Sequence, residues 1–367
     1  MVTNQGALHR LVERLSSEPV LAVDTESNSL YVYQEQVCLI QFSTPTEDIL
    51  VDPLVLKDLS PLGPVFANRD IEKIFHAAEY DLISMKRDFG FEFANLFDTM
   101  LAARILGWKE IGLGSILKNQ FGVQLNKRYQ RANWGRRPLP PEMLSYARLD
   151  THYLIPLRDR IQAELEMYHR WDLAREDFHR LRFVNGRERD EVPETCWRIS
   201  GSYDLSPREA AVLLELCRYR DDVARSLDRP LFKVMSDRTL LSIASAIPQN
   251  LEELREMSKL SDKQVNRYGE AVLRAVQRGL RAAPAYPPRS PRPDEAYLAR
   301  VDALRYWRKK RAQNMGVNSD VVLPRDLLYK IASKGPENEE ELSRILHRVP
   351  WRNKHFGEEI LDVLAST

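Results

Sequence analysis

Cysteine is scarce: Cys38, Cys196 and Cys217 are the three in 367 residues. They are an odd number, far apart, with no Cys-x-x-Cys or Cys/His spacing that would seat zinc. A small disulfide-stapled module is excluded, and a reduced, cytoplasmic chain is the natural expectation. Long apolar runs are missing too, since none approaches the ~18 residues of a membrane span. The opening MVTNQGALHRLVERL has polar and charged residues where a signal peptide needs a continuous apolar stretch, so a surface helix is expected there and no membrane partner. Charge of one sign is also lacking: 54 Lys and Arg against 53 Asp and Glu leave a net +1, so any polyanion must be met by a local patch. No G-x₄-G-K-[ST] occurs, which argues against an ATP-driven helicase. Gly112 and Gly114 read instead as a turn opening a helix.

The length implies two to three domains, each able to bury a core. After an amphipathic start over residues 5 to 17, PVLAVD is a short apolar run ending in an acid, the pattern of a buried strand with a polar tip. QVCLIQFS, DILVDP and IEKIFHA are three further strand candidates. Helical patterns follow at 79 to 89, 98 to 106 and 113 to 121, and one more opens at Pro140 and Pro141 and runs through YARLDTHYLIPLRDRI. This order predicts an α/β domain ending near residue 190. Beyond it the chain repeats itself at a constant offset of 88: Leu216, Tyr219 and Arg220 match Leu304, Trp307 and Arg308, and Tyr268-Gly269-Glu270 matches Phe356-Gly357-Glu358. Two copies of this size are tandem helical domains rather than a solenoid. Between them the five prolines of AAPAYPPRSPRPD favour polyproline II, a semi-rigid spacer.

Three acidic motifs are candidates for chemistry. Asp24 and Glu26 are two apart at a strand end, so both side chains can reach one cation, though taken alone such a pair is more often a solvated or capping one. Asp81, in FHAAEYD, falls just inside a helix, where a carboxylate also answers the helix dipole. Tyr146 and Asp150 are four apart on a helix and share a face. Four carboxylates at one sheet edge would repel one another unless cations sat among them, and hard oxygen ligands suit Mg²⁺ or Mn²⁺. Two-metal phosphodiester hydrolysis uses such a site. Asp98, in FDTM, reads as a helix N-cap rather than a fifth ligand, and His76 and His152 as packing or hydrogen-bonding residues.

In order and spacing, these motifs resemble the DEDD 3′-5′ exonucleases with tyrosine in the third motif. With VLAVDTE, VCLIQ, KIFHAAEYD, FDTMLAARIL, Trp134-x-x-Arg137-Pro138-Leu139 and the tandem tail, the chain is similar to the bacterial ribonuclease D family along nearly its whole length. The resemblance implies a multidomain protein: an α/β ribonuclease-H-like (DnaQ-like) exonuclease domain over 1–195, then two small all-α domains of the helicase-and-ribonuclease-D C-terminal (HRDC) type. These would cover 205–282 and, more divergently, 293–367, joined by a proline-rich linker over 283–292. It implies two divalent cations, Mg²⁺ or Mn²⁺. Asp24, Glu26 and Asp150 would hold the ion beside the attacking water, Asp24 would also reach the second ion, Asp81 would act through water, and Tyr146 would orient the attacking water.

The expected activity is release of nucleoside monophosphates from RNA 3′ ends, with tRNA precursors among the substrates. A 3′-5′ DNA exonuclease acting in repair is the alternative, and a non-catalytic nucleic-acid-binding protein a more distant one. KRYQRANWGRR carries five basic side chains and no acid, interleaved with Tyr129 and Trp134, a composition suited to a single strand. Lys127, Arg128, Arg131, Trp134 and Arg137 are its expected nucleic-acid contacts, and Arg308, Lys309, Lys310 and Arg311 form a second phosphate-contacting run.

Overall fold

The computed structural model describes residues 1–185, 192–288 and 294–367. The expected domain end near residue 190 and residues 289 to 292 of the expected linker lie outside them. The chain divides into two compact units: Met1–Ser27 with Val37–Gly186 and Arg292–Thr367, and Asn28–Gln36 with Arg187–Pro291.

In the first unit, strands β1 (Val20–Ser27), β2 (Val37–Ser43), β3 (Asp48–Val51), β4 (Glu72–Phe75) and β5 (Leu96–Asp98) form one sheet in the order β3-β2-β1-β4-β5. β2 pairs antiparallel with β1 and with β3, whereas β1–β4 and β4–β5 are parallel. Successive residues of β1 point to opposite faces: Leu21 and Val23 join Leu8, Leu11, Phe42 and Phe66 on one side, while Val20 and Ala22 join Ile74, Phe97, Leu157 and Ile161 on the other. After four buried residues β1 becomes partly exposed from Asp24 onward, so the first acids emerge at the end of the central strand.

The helices of this unit include α1 (Gln5–Ser16), α2 (Glu79–Phe89), α3 (Thr99–Leu106), α4 (Leu113–Phe121), α5 (Pro141–His152), α6 (Leu154–Met167) and α7 (Trp171–Leu181). Two details depart from the sequence reading. β5 has three residues, too few for an alternation to show. The helix expected from Pro141 onward is two helices that break at Tyr153, because Pro156 has no amide to offer the carbonyl four residues earlier.

The two repeats share one plan. The first has α8 (Pro207–Ser226), α9 (Asp237–Ala246), α10 (Leu251–Met257) and α11 (Asp262–Arg281); the second has α12 (Glu295–Met315), α13 (Arg325–Lys334), α14 (Glu339–Ile345) and α15 (Pro350–Ala365). Each helix of the second begins 88 residues after its counterpart. Ser206 and Ser261 close capping boxes with Glu209 and Gln264, which stop the first copy's two long helices from fraying at their starts.

Within the first unit the second repeat packs on the α/β domain. Arg104 pairs with Asp320, Arg180 with Asp326 at 2.9 Å, and Arg170 donates to the Met315 carbonyl at 2.6 Å. In the second unit, Tyr33 donates its hydroxyl to the Asp221 carboxylate at 2.8 Å. The expectation of unpaired, reduced cysteines is corrected here for one pair. Cys196 and Cys217 form a disulfide with their Cα atoms 6.1 Å apart, because the segment before the first repeat folds back on α8. Cys38 is buried and forms no disulfide. Among the described residues no helix is long and apolar enough to cross a membrane.

Candidate active site

The central strand sets the site. Asp24 and Glu26 lie on β1 opposite Gln41 and Leu39 of β2, two residues apart and therefore on one face. Asp150 reaches the same place from α5, where Tyr146 stands one turn earlier. Carboxylate oxygens of Asp24, Glu26 and Asp150 all lie within 4.8 Å of one another. Asp81 enters from the first turn of α2 and is tied to the strand by the Thr25 hydroxyl, which donates to its Oδ1. Asp98 is the cap of α3, accepting from the Met100 and Leu101 amides, as its sequence position suggested. Its carboxylate also accepts from the amides of Ala77, at 3.2 Å, and Ala78, at 2.7 Å. Ala77 is left-handed, with φ 64°, so this carboxylate braces the strained turn that launches the helix of Asp81.

Burial and mutual repulsion raise the proton affinity of the whole group. Burial pushes Asp24 up to about 7. Glu26 is pushed up to about 10, by burial first and then by Asp24, Asp150 and Asp81. Asp150 rises to about 8 through burial and the charge of Asp24, and Asp81 is held well above the usual carboxylate range by burial and Asp24. Carboxylates so placed ionise together only when positive charge joins them, and an all-oxygen donor set fits a hard divalent cation. The Tyr146 phenol is raised by burial and then by Asp150, Glu26 and Asp24, so it keeps its proton and can donate at neutral pH.

Asp24, Glu26 and Asp150 line a cavity of about 390 Å³, walled also by Thr25, His76, the start of α4 from Gly112 to Ser115, Leu125, Asn126, Lys127, Gln130 and Tyr146, with Asp81 behind Thr25. His76 bonds the Thr99 hydroxyl at 2.9 Å, and burial lowers it to about 4, so it is a neutral wall residue at pH 7. Sequence reasoning missed Gly112 to Ser115, Asn126 and Gln130 as wall residues. It also passed over Gln41, fully buried with both side-chain polar atoms lacking a partner among the described residues, on the strand face of Asp24. Its signal was a long polar side chain in the middle of VCLIQFS, a strand buried throughout.

The expected nucleic-acid contacts divide. Lys127 lines the cavity, and Arg128 and Arg131 are exposed on the same loop. Trp134 is corrected: it is 1% exposed, with its ring 6.1 Å from that of Tyr146, so it packs behind the tyrosine instead of offering a face to a base. Arg137 is corrected as well, because it grips both Asp52 oxygens at 2.6 Å and the carbonyl of Cys38 at 2.7 Å. Its fork is committed to holding the 134 to 138 loop on the sheet edge. In the second repeat, Arg311 lies against Glu359 at 3.5 Å and over the Phe356 ring, which takes it out of a free phosphate-contacting run. Lys309 and Lys310 are exposed, and Arg308 is half-buried with Nη1 on the Leu323 carbonyl at 2.9 Å.

Residues 1–166 match the family described as 3′-5′ exonuclease, and residues 209–276 and 298–364 each match the HRDC domain. Protein RRP6-like 2 of Arabidopsis thaliana is 34% identical over 296 residues, 76% of this chain and 33% of the plant protein. The chain therefore spans about a third of that relative's length. Ribonuclease D of Nitrobacter hamburgensis is 29% identical over 368 residues, 98% of this chain and 94% of that protein. Among solved structures, Escherichia coli RNase D, an exoribonuclease involved in structured RNA processing, superposes with a TM-score of 0.72 at 25% identity over 100% of this chain and 98% of its own.

Proposed function

Because the chain belongs to the ribonuclease D family of 3′-5′ exonucleases with HRDC domains, we propose that it is a divalent-metal-dependent exoribonuclease that shortens structured RNA from the 3′ end, one nucleotide at a time. The observation that carries this is the meeting of Asp24, Glu26, Asp150 and a protonated Tyr146 at one cavity, with Asp81 tied to the same strand through the Thr25 hydroxyl. At about 390 Å³ that cavity is of small-ligand size, suited to one chain end and too small for a duplex.

Asp24, Glu26 and Asp150 would hold one ion, and Asp24 with Asp81 a second. Bound divalent cations supply charge to the scissile phosphate and make water acidic enough to attack near neutral pH. The chain's own residues do the remaining work. Tyr146, packed against Tyr129 and Trp134 and donating to Asp150 here, would turn its one hydroxyl hydrogen to the attacking water when Asp150 holds an ion, and does not act as the base. Lys127 at the cavity wall faces the incoming phosphate, and His76 adds no charge to compete with the cations. Asp98 keeps Asp81 in reach by holding the 77 to 78 turn. We assign tRNA precursors as substrates, Mg²⁺ or Mn²⁺ as the ions, and the cytoplasm as the location.

The test uses two 5′-labelled oligomers of one sequence, RNA and DNA, each with a single-stranded 3′ tail, incubated with Mg²⁺ or Mn²⁺. A ladder shortening from the RNA 3′ end, absent with EDTA and with Asp24→Ala, is expected. A ladder on DNA alone would move the protein to DNA repair, and binding with no ladder would make it a non-catalytic nucleic-acid binder.

A further inference from the structure

The two repeats place the same arginine in the same setting, yet surround it with opposite charge. In the first, Arg220 on α8 donates Nη1 to the Met235 carbonyl at 3.2 Å and to the Asp237 carboxylate at 2.6 Å, so its charge is answered within the domain. In the second, Arg308 on α12 donates Nη1 to the Leu323 carbonyl at 2.9 Å, the equivalent backbone contact 88 residues on. The position of Asp237, however, is now Arg325, the position of Cys217 is Arg305, and that of Leu241 is Tyr329. An intramolecular ion pair has been exchanged for a gathering of three guanidinium groups.

These residues, with Leu328, line a cleft of about 270 Å³, and none of the lining residues is a carboxylate. Arg305 donates Nη2 to the Tyr329 hydroxyl at 2.6 Å, and the Arg305 and Arg325 guanidinium carbons lie 5.6 and 5.4 Å from the centre of the Tyr329 ring. On its far side Arg305 meets the exposed Asp302 at 3.6 Å. The Arg308 Nε is buried and has no partner among the described residues. Burial lowers the Arg308 guanidinium, and Arg305 and Arg325 lower it further against an opposing effect of Tyr329, as expected of like charges held together with no carboxylate in the cleft. Three planar forks around one opening match the oxygens of a phosphate, which can accept from several at once.

We propose that this cleft between α12 and α13 is an anion site that takes a backbone phosphate of RNA. The proposal rests on the reading of the substrate as RNA, and it locates a grip on the RNA body in the second repeat rather than in the catalytic cavity.

The test measures binding in EDTA, where no strand is cut. Anisotropy of a labelled RNA hairpin with a single-stranded 3′ tail is followed for wild type, the Arg305→Ala/Arg325→Ala double variant and Arg325→Glu. Arg325 is exposed in the first turn of α13, where a glutamate suits the helix, so the charge reversal keeps the fold. Roughly tenfold weaker binding at 0.1 M salt is expected for the double variant, with the slope of log K against log salt reduced by one to two. The charge reversal should weaken binding at least as much. Equal affinity and slope in all three proteins would overturn the proposal. So would calorimetry in which wild type alone takes up inorganic phosphate or AMP while RNA affinity stays the same throughout, which would make the cleft a site for small anions. Failure of the exoribonuclease reading shows separately, as absence of a ladder, and leaves this binding result standing.

Discussion

Arg352 of the second repeat and Glu176 of the α/β domain form a buried ion pair, Nη1 to Oε2 at 3.0 Å, with side chains 0% and 6% exposed. The arginine also meets Asp177 at 2.9 Å and donates to the carbonyls of Val321 and Val322, while the second Glu176 oxygen accepts from the amides of Trp351 and Arg352. Four of the five guanidinium N–H groups and both carboxylate oxygens are thus engaged, the condition under which a buried ion pair holds rather than weakens a structure. The second repeat is pinned to the nuclease core at this point.

Removing one partner should be costly. Arg352→Ala leaves the buried Glu176 carboxylate and the partly exposed Asp177 without their guanidinium, and a loss of about 3–5 kcal/mol is expected. Urea unfolding should show an earlier transition, and limited proteolysis should release residues after 294 first. An unchanged profile would mean the pair does not hold the repeat in place.

The acids make a second prediction through pH. In the folded protein Asp24 and Asp150 sit near 7 and 8 and Glu26 near 10, all above their ordinary values near 4. Between pH 4 and those raised values the folded metal-free protein binds more protons than the unfolded chain, so stability falls as pH rises. Divalent cations should reverse the trend. The gain in unfolding temperature on adding Mg²⁺ or Mn²⁺ should grow from pH 5 to pH 9, and calorimetry in buffers of different ionisation heats should detect proton release on metal binding. A gain independent of pH would contradict the coupled carboxylate site.

Tyr146→Phe removes the donor hydroxyl but keeps the ring between Tyr129 and Trp134. Turnover should slow by roughly 10²–10³-fold with little change in KM, in line with the loss of one positioned hydrogen bond in the transition state. Asp150→Asn should abolish hydrolysis while RNA binding in EDTA persists. A Tyr146→Phe protein that turns over as fast as wild type would remove the phenol from the mechanism.

Gly107 closes α3 in the left-handed region, at φ 84°. A Cβ there would run into the carbonyl oxygen of Gly316, at the end of α12. Gly107→Ala combines a backbone penalty of about 1–2 kcal/mol with displacement of the second repeat, so a lowered unfolding temperature is expected. Alanine at Gly90, also left-handed but with open space around it, should cost the backbone term alone. Equal losses at the two positions would show that the close approach is unimportant.

The Cys196–Cys217 bond closes a separation of 21 residues, and a link of that length stabilises by about 3 kcal/mol through the unfolded chain. Dithiothreitol should therefore lower the unfolding temperature of wild type and leave Cys196→Ser/Cys217→Ser unchanged. The same shift in both would rule the bond out.

Much of this was present in the sequence because its causes are local. An apolar run ending in Asp-x-Glu makes a buried strand with two acids on one face, Tyr146 and Asp150 share a helix face by spacing alone, and the offset of 88 is a property of the chain that the helix starts repeat. Other features depend on residues distant in the chain. Trp134 and Arg137 have the composition of a nucleic-acid loop, and only packing against Tyr146 and pairing with Asp52 turn them inward. The Cys196–Cys217 bond and the hold of Glu176 on Arg352 likewise join positions that no local pattern connects. Periodicity determines which face of an element is apolar, whereas the partner a polar side chain finds is decided by which elements the fold brings together.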